Sequence, residues 1–217
     1  SVDLGGFRQY VHKRDVSKRV EWTGIVDTTQ LSERLAELCN PVKQIAVSIT
    51  IGIALNNYGT PLPGAIPDIY SFDLCADGES VLRLSRRTER NHQIDLLNTR
   101  SALLHNIINA LVLSSTTSET ISDSDLKVIN QVIEEIIPEL QVSIHGIFPS
   151  RFVSDNVRFG PNALSLFAID KAHREDSLAN AVRLLLPRSL EELVCGISNI
   201  IVGELAAMQY LGPLRSY

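Results

Sequence analysis

No stretch of the 217 residues approaches the ~20 consecutive apolar side chains of a helical membrane span, and no signal peptide opens the chain. Cysteine is scarce. Cys39, Cys75 and Cys195 are an odd number, far apart and set among apolar or helical residues. They read as buried thiols in a reducing cytoplasm, with no disulfide framework behind them. His12, His92, His105, His145 and His173 fall at no metal-ligand spacing, so no metal site is expected. Excess positive charge is also missing: a formal net charge of −5 gives no global attraction to nucleic acid, and any basic surface must be local. The chain lacks a G-x-S-x-G nucleophile motif and any internal repeat. The tetrapeptide Phe159-Gly160-Pro161-Asn162 resembles the opening of a phosphate-binding loop. Ala163-Leu164-Ser165 then stands where the second glycine and the lysine belong, so a turn entering a strand is expected.

What is present is pattern. In residues 44–55, QIAVSITIGIAL, Ile45, Val47, Ile49, Ile51, Ile53 and Leu55 alternate with Ala46, Ser48, Thr50, Gly52 and Ala54. Strict alternation of β-branched with small residues predicts a central strand with one bulky and one smooth face. Before it, residues 20–26 predict a short strand. A helix capped by Thr28 or Thr29 follows, with Leu31, Leu35 and Leu38 on one face and Asn40-Pro41 closing it. After a turn-rich loop, Tyr70, Phe72 and Leu74 alternate up to Asp77-Gly78, and Leu82 and Leu84 alternate on the return. That is a hairpin, with a further strand at 93–97.

Beyond Thr99 the period lengthens. Leu103, Leu104, Ile107, Ile108 and Leu111 form one helical stripe; Leu126, Ile129, Val132, Ile133, Ile136 and Ile137 form another, opened by a Ser122/Asp125 capping box. Between them lies the polar linker 114–125. The two stripes predict an antiparallel helical pair projecting from the sheet. Residues 141–167 read as irregular, with short strands at 142–148 and 163–169. A helix over 176–186 is expected to stop before Pro187 and a second to run over 189–207, leading to a strand at 208–211. The fold class is α+β: an antiparallel β subdomain with one crossing helix (1–100), a helical pair (101–140) and a mixed segment returning to the core sheet (141–217). Both ends have the composition of an internal segment, so a piece of a larger protein is expected.

Two basic clusters stand out. Arg83, Arg86, Arg87, Arg90 and Arg100 are interleaved with Glu79, Glu89 and Asp95; Lys13, Arg14, Lys18 and Arg19 are interleaved with Asp15 and Glu21. Either could meet phosphates, but the interleaved acids favour a solvated, aggregation-resistant edge.

The two ends carry a resemblance. Val2-Asp3-Leu4-Gly5-Gly6-Phe7, with Tyr10-Val11-His12 and Asp15, resembles a stretch found in SMC/RecF-like ABC-class ATPases, among them the overcoming-lysogenisation-defect group and related anti-phage ATPases. Tyr210-Leu211-Gly212-Pro213-Leu214-Arg215 is similar to that family's strand-loop before its signature helix. The resemblance implies a partial ATPase head, an α/β parent that binds ATP and magnesium between two heads, and cytoplasmic anti-phage defence or DNA metabolism. Gly212 and Arg215 would be its nucleotide-proximal residues. Implied partners are the rest of the parent ATPase and a second copy, with DNA or an effector protein left open. No G-x-x-x-x-G-K-[ST], L-S-x-G or Asp-Glu strand is present, so the segment itself carries no catalytic residue and no cofactor and should be inactive alone. The residues by themselves leave a second reading open, a non-enzymatic α+β protein-binding or dimerisation module with residues 101–140 as its surface.

Overall fold

The computed structural model describes residues 15, 17–62, 65–87, 91–115, 122–154 and 174–207. Among the described residues seven strands form one antiparallel sheet in simple sequence order: β1 (Val20–Asp27), β2 (Gln44–Ile53), β3 (Pro67–Ala76), β4 (Glu79–Arg86), β5 (His92–Leu97), β6 (Leu140–His145) and β7 (Phe148–Ser154). Helix α1 (Glu33–Cys39) lies between β1 and β2, α2 (Ala102–Ser115) and α3 (Asp123–Ile136) between β5 and β6, and α4 (Arg174–Ala207) after β7. The architecture is thus mixed α+β, and the sheet runs unbroken across both sides of the two-helix excursion.

The alternation in β2 does what its chemistry requires. Ile45, Val47 and Ile49 are buried, and they join Phe72, Leu74, Leu82 and Leu84 of the neighbouring strands in one core with the helices. The small side carries polar ties, such as Thr23 and Ser48, whose hydroxyls lie 2.8 Å apart. The hairpin between β3 and β4 turns at Asp77-Gly78, with φ of 48° and 86°. Only residues tolerant of the left-handed region fit there. Asp77 adds a second service, its carboxylate accepting the backbone N–H of Gln44 at 2.9 Å.

Four expectations are corrected. First, α1 starts at Glu33, not at Thr28 or Thr29. Asp27 caps a 3-10 turn over Thr28–Gln30, while the Thr28 hydroxyl is committed to the carbonyls of Val42 and Lys43. Second, Pro187 does not end a helix. α4 continues through it for 34 residues, because Leu178, Val182 and Leu186 before it and Leu190, Leu193, Val194, Ile197 and Ile201 after it form one buried stripe. Each buried aliphatic contributes roughly 1.5–3 kcal/mol, against ~3 kcal/mol for an interior proline. Third, α2 and α3 do not project as a mutual pair. Both lie against α4, which also touches β7 and β1, so the helices cover one face of the sheet. The strand expected over 142–148 is instead a hairpin: β6 and β7 are joined at Gly146-Ile147, and Pro149 is accommodated because β7 is an edge. The strand expected over 163–169 and that over 208–211 lie outside the described residues.

Candidate functional site

Antiparallel register gathers one corner of the sheet. Val20 pairs with Ile51, Gly52 with Asp68, and Ser71 with Ser85. The residue before β1, the end of β2, the start of β3 and the end of β4 therefore meet. There Arg19, Ala54, Leu55, Tyr70, Ser85, Arg86 and Arg87 line a groove of about 470 Å³. Its centre is the Tyr70 ring. The Arg19 guanidinium carbon stands 4.0 Å from the ring centroid and that of Arg86 stands 5.2 Å away, both within cation–π range. The Tyr70 hydroxyl donates to the Ile53 carbonyl at 3.0 Å, which fixes the ring. A bulge between Thr50 and Ile51 lets β3 insert Tyr70 as the extra residue opposite β2.

The two basic clusters of the sequence thus meet at their ends. Arg83 is not part of the groove: it forms a two-pronged pair with Asp73, at 2.9 and 2.7 Å, and Asp73 holds its pKa above the usual arginine range. Arg86 pairs loosely with Asp68, at 3.3 Å. Arg87 is exposed and has no ion-pair partner among the described residues. Spacing along the chain hides this convergence, although the Asp77-Gly78 hairpin places Tyr70 beside the end of β4. Lys13, Arg14 and Arg90 lie outside the described residues, as do Gly212, Arg215 and residues 159–165.

A second cavity, of about 520 Å³, opens between α2 and α3, where His105, Asn130 and Glu134 sit above Ile108, Ile129 and Ile133. Elsewhere, His92 is buried with its Nε2 2.9 Å from the Ile69 carbonyl and its Nδ1 without a partner among the described residues. Of the three cysteines, Cys39 is buried and its thiol pushed up to about 11 by burial. Cys75 and Cys195 are only half-buried, contrary to expectation, but burial and then Asp73 or Glu191 raise them as well. All three are disfavoured as thiolates, so none is a primed nucleophile. Among the described residues no three His, Cys, Asp or Glu side chains come together as a metal would need. The described residues that line the arginine groove include no carboxylate that could hold a magnesium ion. What the groove can do chemically is hold an anion.

Comparison of the chain with known protein families, with characterised proteins and with solved structures finds no match. Among the described residues no helix is long and apolar enough to cross a membrane.

Proposed function

We propose that the chain is the non-catalytic middle of a cytoplasmic, SMC-like ABC-class ATPase, a segment that transmits the state of the nucleotide site and hydrolyses nothing itself. The observation that carries this reading is the path of the chain. An antiparallel sheet, two helices and a return to the same sheet follow in the order the family resemblance implies. The last described element, α4, is buried as far as Ile201 and ends at Ala207, three residues before Tyr210-Leu211-Gly212-Pro213-Leu214-Arg215. A long, rigid helix anchored on every other layer suits the transfer of a displacement between that loop and the sheet. In the parent, Arg215 would present five N–H donors to phosphate or to a carboxylate across a head–head boundary.

The test is made in the parent polypeptide, by steady-state ATP hydrolysis. Arg215→Ala should lower turnover at least tenfold, about 1.4 kcal/mol of transition-state stabilisation, with Tm unchanged within a few degrees. Full activity in that variant overturns the reading. The cleft between α2 and α3 carries no second reading, since nothing among the described residues indicates what would cover it.

A further inference from the structure

We propose that the Arg19–Tyr70–Arg86–Arg87 groove is a binding site for the phosphate group of a small organic phosphate. Arg19, Arg86 and Arg87 all line it, the first two with their guanidinium groups over the Tyr70 ring, and among the described residues Asp68 pairs with Arg86. Arg19 makes no hydrogen bond or ion pair among the described residues; it rests on the Tyr70 ring. Stacking uses the face of a guanidinium and leaves its in-plane N–H donors free, the geometry that recognises phosphate oxygens in pairs. Ser85 lines the same wall.

The corner is also built to let these groups in. A Cβ at Gly52 would lie 3.0 Å from Tyr70 Cε2 and 3.1 Å from Arg19 Cγ, closer than such contacts normally come. Glycine therefore lets the tyrosine and the arginine lie flat over β2. The volume, about 470 Å³, falls in the range of small-ligand sites.

The distribution of charge argues for a small ligand over a nucleic-acid backbone. A phosphodiester chain needs a continued track of cations. Among the described residues the next arginine inward along β4, Arg83, is already paired with Asp73, and the whole chain carries −5. The proposal does not depend on the ATPase reading, because it concerns this chain by itself.

Pyrophosphate serves as the probe, titrated calorimetrically into the chain at constant ionic strength set with chloride. The expected result is saturable one-site binding, weakened at least tenfold in Arg19→Ala and again in Arg87→Ala. Both residues are exposed, so melting should not change. Arg34→Ala, which removes a surface arginine paired with Glu192, should bind like the parent. Absence of pyrophosphate binding, or undiminished binding in a folded Arg19→Ala chain, overturns the proposal. So does tighter binding of a single-stranded oligonucleotide than of pyrophosphate with a salt dependence of several phosphates, which would make the corner a backbone-reading surface.

Discussion

The sheet is not equally a sheet throughout. Between β2 and β3 the register runs from Ile45↔Ala76 to Ile53↔Pro67, interrupted by one bulge. Between β5 and β6 it consists of the single pair His92↔Val142. The first seam is a ladder that would hold with little help. The second persists because the β6–β7 hairpin is fastened from behind: Phe148 and Phe152 are buried, Phe152 donates its backbone N–H to Glu191 of α4 at 3.3 Å, and Arg183 of α4 pairs with Glu135 of α3 at 2.8 Å. Strand order alone would not reveal this division. One part of the sheet is held in its own plane, the other by the layer of helices above it.

The harshest way to break that contrast is at the centre of the ladder. Ile49→Asp places a carboxylate on the buried side of β2, a penalty of several kcal/mol, and should leave no cooperatively folded chain. Ser48→Ala, one residue away on the smooth side, should shift stability by about 0.5 kcal/mol at most in chemical denaturation. A cooperatively melting Ile49→Asp protein would remove β2 from the centre of the fold.

The second measurement separates the seams. Phe72→Ala and Phe152→Ala each delete a buried ring and should each cost about 3–5 kcal/mol. In native-state hydrogen exchange, however, Phe72→Ala should lower protection everywhere. Phe152→Ala should act mostly through an opening confined to β6, β7 and the facing part of α4. Equal protection of β3 and β6 amides in the unmodified chain would erase the distinction.

The smallest effect concerns the tie between α3 and α4. Hydrogen bonds from Arg183 and then Gln131 hold the Glu135 carboxyl below its ordinary value. A depressed folded pKa means a contribution present above the unfolded glutamate range and lost as pH falls through and below it. The pair is exposed enough that Glu135→Gln should cost little at neutral pH. Its signature is instead a shallower loss of stability in acid, read by melting from neutral pH downward. An unchanged acid limb would show that the pair does not hold the helices.

Much of the ladder half was legible because its signals are local. Period-two alternation located β2 to within two residues, Asp77-Gly78 gave the hairpin, and Ser122 with Asp125 gave the start of α3, where both arms of the capping box form. The helix-held half was harder to read. Pro187 is a local stop signal, outweighed by a buried stripe whose partners are distant in sequence. The stripes of α2 and α3 disclosed which sides are buried but not that α4 lies against both. Gly146 between Ile144 and Phe148 was the available clue to the last hairpin. The arginine corner was half legible: Tyr70 and Arg86 face each other across a readable turn, whereas Arg19 arrives through the β1–β2 register. The expected nucleotide-proximal residues, Gly212 and Arg215, lie outside the described residues and are tested only by the turnover experiment.

The position of α4 has a consequence for how the protein is made. It is the last described element and packs on β1, α1, α2, α3 and β7, elements that leave the ribosome well before it. At about 5–20 residues per second, the ~100 residues between Leu97 and Ile201 take roughly 5–20 s to synthesise. During that interval the apolar side of the nascent sheet is without the part of its cover that α4 supplies. A chaperone that shields β-rich intermediates should therefore matter most late in translation, and a ribosome stalled before residue 174 should present an aggregation-prone chain.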